Sequence, residues 1–472
     1  MIDKRFKQLS TTNIEFFQSI FKDEDIGLDK DTLHKYGADE TEDLHFAPEI
    51  VLYPRSTEQI SSLLKYCNEL HLPVTARGGG TGLSGGAIPV LGGISLSMER
   101  MNHILEIDEN NFQVTTEPGV ITQVLQEEVE KIGLYYPPDP ASKGSCFIGG
   151  NIAENSGGPK AVKYGVTKDY VLNLEVVLAN GTVIWTGANV LKNSTGYNLT
   201  QLMVGSEGTL GIVSKAVLRL LPKPKFDMLM LVPFYSGEDA CEAVARIFHS
   251  GVVPSGLEFI EKDALDMGAE FLSNERINIE QGIEAHLLIE VDGNREVELM
   301  NDMEIIYGVL ENYNCGQILL AESIAQKDNL WKLRRCLGEA VKSVSLYREE
   351  DTVVPRAELP KLLRGVKEIG AKYKFRSVCY GHAGDGNLHV NILKDAMTDV
   401  EWNVTVISGI REIFELCVSL GGTISGEHGI GLVQKEFLEI AFDENMMDLH
   451  RQIKNTFDPN GILNPGKIIM DL

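Results

Sequence analysis

Two histidines frame the stretch Tyr380-Gly-His-Ala-Gly-Asp-Gly-Asn-Leu-His-Val-Asn-Ile392. Asp385-Gly386 at its centre is a hairpin signal, because both residues tolerate the positive φ of a two-residue turn. With that turn, the spacing predicts that Gly384 faces Asn387, Ala383 faces Leu388 and His382 faces His389. Directly opposed residues have Cβ atoms about 4.5–5.5 Å apart. Two imidazoles so placed can share one metal ion at about 2.0–2.1 Å each. Leu388, Val390 and Ile392 alternate with Asn387, His389 and Asn391, which puts the second set on one polar face. Asn391 is thereby a candidate substrate contact. A lone histidine in such a strand is more often structural, but a facing pair favours a metal. The third ligand is sought in Gly421-Gly-Thr-Ile-Ser-Gly-Glu-His-Gly-Ile-Gly431, where glycines let backbone approach a ligand closely. Taken alone, that segment also reads as a solvated loop. His382, His389 and Glu427 together would offer two nitrogens and one oxygen with positions left open, the pattern of a catalytic centre.

A second chemistry is written in glycine. Arg77-Gly-Gly-Gly-Thr-Gly-Leu-Ser-Gly-Gly86 lets consecutive backbone N–H groups turn toward one anion, a pyrophosphate being the natural guest. It is neither a Walker A loop nor a Rossmann fingerprint. By itself it also reads as a flexible linker. Pro137-Pro-Asp-Pro-Ala-Ser leading to Gly149-Gly-Asn-Ile-Ala-Glu-Asn-Ser-Gly-Gly158, and then Val204-Gly-Ser-Glu-Gly-Thr-Leu-Gly-Ile-Val213, make three such loops between ordinary strands. Three linkers in that setting are harder to explain than one ligand.

Positioning these groups takes more than one domain, since 472 residues exceed a single ordinary core. Residues 13–70 read as helical, with a short strand at Ile50-Val-Leu-Tyr-Pro and an amphipathic end over Thr57–Leu70. Strands at Ile94–Met98, Gln113–Thr116 and Val171–Leu178 follow, with a helix at Thr122–Ile132. Leu218-Arg-Leu-Leu-Pro-Lys-Pro-Lys marks a domain exit. Beyond it, strands at Met228–Val232 and Ala285–Val291 alternate with helices over 237–250 and 295–312. That α+β grammar suits an antiparallel sheet with helices on one face. The expected division is 1–222, 223–420 and a closing segment 421–472.

Composition excludes several classes. The chain is 43% apolar and 24% charged, with no run near the roughly 20 apolar residues of a membrane span. Met1-Ile-Asp-Lys-Arg-Phe-Lys has no apolar secretory core, so a cytoplasmic protein is expected. A net charge of −25 argues against nucleic acid and demands local positive charge at any site for an anionic substrate. The seven cysteines include no Cys-x-x-Cys pair, which excludes the usual iron–sulfur and structural zinc patterns.

The three glycine loops, in this order, resemble the FAD-binding domain of the vanillyl-alcohol oxidase and p-cresol methylhydroxylase superfamily, over about residues 48–222. The resemblance implies that Gly78, Gly79, Gly80, Thr81, Gly82, Ser84, Gly85 and Gly86 hold the pyrophosphate. Pro138, Asp139, Ser142, Gly150, Asn151, Gly157, Gly158, Glu207 and Ile212 would border the rest of the flavin. Members with covalent flavin place a histidine after the first glycines; Thr81 stands here, so dissociable FAD is expected. The two downstream motifs are similar to the C-terminal domain of FAD-linked D-lactate, glycolate and D-2-hydroxyglutarate dehydrogenases. That similarity makes His382, His389 and Glu427 ligands of a divalent metal, zinc first, with manganese or iron as other candidates, and His428 the catalytic base. Leu330-Trp-Lys-Leu-Arg-Arg335 resembles the family's Leu-Trp-x-x-Arg element, which gives Arg334 the substrate carboxylate, with a structural salt bridge as the competing reading. Asn464, in Asn464-Pro-Gly-Lys467, would return to the flavin domain.

The implied fold is α+β: a two-part flavin domain of the p-cresol methylhydroxylase type plus a substrate or cap domain. The implied reaction is oxidation of a small D-2-hydroxy acid to its 2-oxo acid. Members acting on 2-hydroxyglutarate carry a threonine and a lysine where Gly338 and Glu349 stand, which favours D-lactate or glycolate; a one-residue slip over 347–351 would bring in Arg348, so D-2-hydroxyglutarate stays the alternative acid. Electrons would pass to an external acceptor: electron-transferring flavoprotein, a quinone-linked partner or an iron–sulfur partner. A homodimer is the default assembly, although no apolar stripe marks an interface. Two other classes compete: a metal-dependent hydrolase, which leaves the glycine loops idle, and a non-catalytic flavin electron-transfer subunit, which leaves the metal motif idle.

Overall fold

The computed structural model describes residues 5–272 and 280–469, so residues 1–4 of the polar N-terminal stretch lie outside it. The chain forms two units: Met1–Gly157, Val166–Lys223 and Glu427–Leu472 make the first, and Gly158–Gly165 with Pro224–Gly426 make the second.

The first unit grows around the amphipathic helix Thr57–Leu70. Ser56 caps its start by accepting the Gln59 N–H, and His71 ends it in the left-handed region at φ 55°. Ile60, Leu63, Leu64 and Cys67 recur on one face and are fully buried. They pack in one cluster with Ile50, Leu52, Val74, Ile94 and Leu96. Strands Ile50–Leu52, Ile94–Ser97 and Val74–Arg77 pair in parallel, with Ile26–Gly27 antiparallel at the edge. The segment 13–70 is therefore not one helical arm. Helices Thr11–Ile20, Lys30–Lys35 and Thr57–Leu70 are separated by two strands and an irregular stretch from 36 to 49. Gly27, Gly37, Pro48 and Pro54 interrupt the helical pattern. A second, antiparallel sheet runs in the order Ile104–Asp108, Gln113–Thr116, Ile212–Arg219, Val171–Val177, Val183–Trp185. The C-terminal segment joins Val74, whose N–H donates to Ile462 O and whose carbonyl accepts from Asn464 N, both at 2.8 Å.

The second unit is built on a seven-stranded sheet. Its order is Leu319–Leu320, Phe226–Phe234, Ala285–Gly293, Gly256–Glu261, Arg376–Gly381, Asn387–Leu393, Tyr347–Val353, and each pairing is antiparallel. Helices cover both faces, not one. The reason lies in the strand Ala285–Gly293, where consecutive Leu287, Leu288 and Ile289 are all buried, so each face needs an apolar cover. Lys262–Phe271 and Leu337–Val344 cluster with Ile260, Val378 and Tyr380. On the opposite face, a Cβ at Gly237 of the helix Gly237–His249 would lie 3.9 Å from Phe259 and 3.1 Å from Leu363 of the helix Leu359–Tyr373.

Candidate active site

In the second unit, adjoining strands bring polar residues to one face. Tyr380 and Asp351 both stand opposite His389, and Val378 and Glu349 both stand opposite Asn391. The hairpin register therefore differs from the expected one, because His389 faces Tyr380 and not His382. Ala383–Asp385 forms a turn of 3-10 helix, and Gly386 adopts φ 78°. The Gly386 carbonyl accepts the Val354 N–H at 3.0 Å, and a Cβ at Gly386 would collide with Val354 O. Packing against the neighbouring segment thus sets a longer loop than the two-residue turn. His382 heads that loop and still brings its ring to 5.4 Å from the His389 ring, at 83° between planes.

Both imidazoles are buried, and each meets a carboxylate. His382 Nδ1 lies 2.9 Å from both oxygens of Glu258. His389 Nδ1 lies 3.1 Å from Glu349 Oε1. Burial pushes the Glu258 carboxyl up, but the charges of His382 and Arg334 outweigh it and hold the group below its usual value. Burial and the charge of Glu349 push the Tyr380 phenol well up.

Arg334 sits near the end of the helix Ile324–Arg335, which Ser323 and Gln326 cap reciprocally. It is only 5% exposed, pairs with Glu258 Oε2 at 2.6 Å, and lies 5.1 Å over the Tyr380 ring. Its Nε has no hydrogen-bond partner among the described residues. Arg334 is thus a salt-bridge residue and still keeps a donor. Asn391 is fully buried on the His389 face, but its Nδ2 donates to Val378 O at 3.3 Å. The sequence does not single out Glu258; its one signal is a carboxylate within the apolar run Leu257-Glu-Phe-Ile260.

In the first unit, a cavity of about 250 Å³ is walled by Gly78, Gly79, Gly80, Thr81, Gly82, Gly86, Ser142, Gly150, Asn151, Glu207 and Ile212, all expected flavin residues. A Cβ on Gly82 or Gly150 would meet no atom of the described residues within 4 Å, so packing among them does not require glycine for space there. At Gly79, by contrast, a Cβ would come 2.5 Å from Ser145 O, so glycine is needed for packing.

Other expected flavin residues are outside this wall and brace it. Ser84 O accepts from Leu432 N, and Gly85 N donates to Thr41 Oγ1, each at 2.7 Å. Pro138 O accepts from Gln126 at 2.8 Å, and Asp139 pairs with Lys143 at 2.9 Å. Asn464 Nδ2 donates to Gly86 O and Glu207 O at 2.9 and 2.8 Å. Gly158 belongs to the second unit.

Glu427 and His428 line the same cavity. Glu427 Oε2 accepts the Gly157 N–H at 3.1 Å. The Glu207 carboxylate accepts the Ile430 and Gly431 N–H groups at 2.8 and 2.7 Å, clamping the loop that carries His428. Glu154, which the sequence reading passes over, also reaches this cavity. Burial and the charge of Glu207 push its carboxyl well up. Burial lifts Glu207 to about 7 despite its two N–H donors, and lowers Lys467 to about 8.

Residues 48–187 match the FAD binding domain model, and residues 223–468 match the model described as FAD linked oxidases, C-terminal domain. The chain belongs to the FAD-linked oxidase family. Within this family it is 41% identical to glycolate oxidase subunit GlcD of Bacillus subtilis, over 92% of this chain and 91% of that one. It is 39% identical to a D-lactate dehydrogenase of Anaerostipes hadrus, over 90% of each. The structure of p-cresol methylhydroxylase with substrate bound shares the fold, with a TM-score of 0.78 at 18% identity over 99% of each chain. This FAD-linked oxidoreductase carries its first two glycine loops inside the FAD-binding match. His382, His389, Glu427 and His428 all fall inside the C-terminal match.

Proposed function

We propose that this FAD-linked oxidase oxidises a small D-2-hydroxy acid, D-lactate or glycolate, to its 2-oxo acid. The observation that carries the reading is the buried His382–His389 pair, each ring backed by a carboxylate, beside Arg334. A donor set of two imidazole nitrogens, with the Glu427 carboxylate as the third ligand, suits a divalent cation, zinc first. Support for Glu427 comes from the chain path: Gly426 N–H is held by Asp351 Oδ2 at 2.8 Å, and Asp351 stands opposite His389. The bare glycine wall fits FAD, and Thr81 in place of a histidine makes that FAD dissociable.

When bound, FAD supplies at N5 an acceptor for the hydride that leaves substrate C2. A bound divalent cation supplies a Lewis acid that lowers the cost of ionising the hydroxyl. Arg334 takes the substrate carboxylate, supplying the local positive charge that an acidic protein must provide. His428 accepts the hydroxyl proton. Asn391 is the second candidate contact on the His389 face. Glu349 keeps negative charge beside His389, and Gly338 has no side chain to offer next to Tyr380, which supports an acid with a single carboxylate. The electrons pass to an external acceptor, whether electron-transferring flavoprotein, a quinone-linked partner or an iron–sulfur protein.

The test is product analysis with an artificial dye acceptor. Stoichiometric pyruvate from D-lactate, or glyoxylate from glycolate, supports the reading. Turnover of D-2-hydroxyglutarate alone would overturn the substrate preference, and turnover of none of the three would overturn the proposal.

A further inference from the structure

The hairpin that carries His382 and His389 is flanked by a carboxylate on each side. Gly256–Glu261, next to one arm, supplies Glu258, and Tyr347–Val353, next to the other, supplies Glu349. Glu258 has no exposed surface, and the Glu349 side chain is 9% exposed. Carboxylates at such depth are costly unless they answer a specific donor. Glu258 sets both oxygens 2.9 Å from His382 Nδ1, and Glu349 sets Oε1 3.1 Å from His389 Nδ1. Asp351 is a poorer partner for His389 at 3.9 Å. Its own oxygens accept from Asn387, Ser425 and Gly426 at 2.7, 3.0 and 2.8 Å.

We infer that Glu258 and Glu349 are positioning residues, Glu258 accepting the Nδ1–H of His382 and the Glu349 carboxylate standing beside His389 Nδ1, so that each ring presents Nε2 to a divalent cation. This rests on the metal reading given above. A ring whose Nδ1–H is held by a carboxylate is fixed in tautomer and orientation and is a stronger donor at Nε2. Glu258 does more than Glu349, because it also binds the Arg334 guanidinium at 2.6 Å. Its loss should therefore disturb substrate binding as well as metal binding, whereas loss of Glu349 should disturb the metal and the preference for a single carboxylate.

The experiment strips the FAD-loaded protein with a chelator and titrates zinc back against a chromophoric competitor. Wild type is expected to take up one equivalent, and His382→Ala and His389→Ala to lose it. Glu258→Gln and Glu349→Gln should each weaken zinc affinity by about 10–100-fold, with flavin content and far-ultraviolet circular dichroism unchanged. Glu258→Gln should also raise KM for the hydroxy acid. Wild-type protein that takes up no zinc overturns the metal reading and this inference with it. Wild type that binds zinc while both glutamine variants bind equally tightly overturns this inference alone. Should Glu258→Gln fail to fold, Glu349→Gln, on the outermost strand of the sheet, carries the comparison.

Discussion

Glu258 holds two groups at once, His382 at 2.9 Å and Arg334 at 2.6 Å, with no access to water. Removing one partner of a buried pair leaves charge uncompensated, so Arg334→Ala should cost about 3–5 kcal/mol of stability in denaturant titration. Arg334→Lys keeps the charge and loses the fork, so the protein should fold while KM for the hydroxy acid rises at least about tenfold. An unchanged KM would remove Arg334 from the substrate site. His428→Ala should slow substrate-driven flavin reduction by about 10²–10⁴-fold with flavin retained; a loss of only a few-fold would leave the base unassigned. The histidine pair was legible from residue type and spacing because a turn signal lay between its members. Glu258 was not, because a single acid in an apolar strand looks the same whether it faces solvent or a buried imidazole.

Among the elements, Thr57–Leu70 and Gln113–Thr116 have the bounds that periodicity predicts, and Asn387–Leu393 is a strand, but it is buried at every position and has no solvated polar face. The hairpin register was not legible, because a contact from outside the hairpin decides it. Gly386 is held against Val354, and no local signal encodes that neighbour. Gly386→Ala puts a side chain at φ 78° and into Val354 O, so it should destabilise the protein and weaken zinc uptake together. Zinc uptake unchanged in a folded Gly386→Ala variant would show that the loop does not set the histidines. The glycine loops make the opposite prediction. Gly82→Ala and Gly150→Ala should leave the melting temperature of flavin-free protein within about 1 °C to 3 °C, since helix and loop costs of an exposed methyl are small. FAD affinity, read by fluorescence titration, should fall at least about tenfold, roughly 1.4 kcal/mol. Equal FAD affinity would mean that the cavity is not the flavin site.

For the molecule as a whole, the buried acids set a pH dependence. Glu207 titrates at about 7 when folded against an ordinary 4.5, so the folded state holds a proton that the unfolded chain releases between those values. The resulting stabilisation is present below about 4.5 and is lost as pH rises through 7. Lys467, lowered to about 8 from 10.5, has its stabilisation above about 10.5 and loses it as pH falls through 8, so below 8 it adds no further slope. The melting temperature should therefore decline from about pH 5 to about pH 7.5, and Glu207→Gln should flatten the decline; parallel profiles would contradict this. The glycine loops and the histidine pair were legible as separate chemistries because each has its own dense motif. The helices on both faces of the second unit's sheet were not, because only assembled strands reveal which apolar runs need two covers. On the proposed function, the flavin is reduced by a small D-2-hydroxy acid with the help of a metal. The most direct test is flavin absorbance followed anaerobically on adding D-lactate or glycolate, before and after chelation. Bleaching that the chelator abolishes and zinc restores is the predicted result; flavin that stays oxidised with every hydroxy acid, metal present, would contradict it.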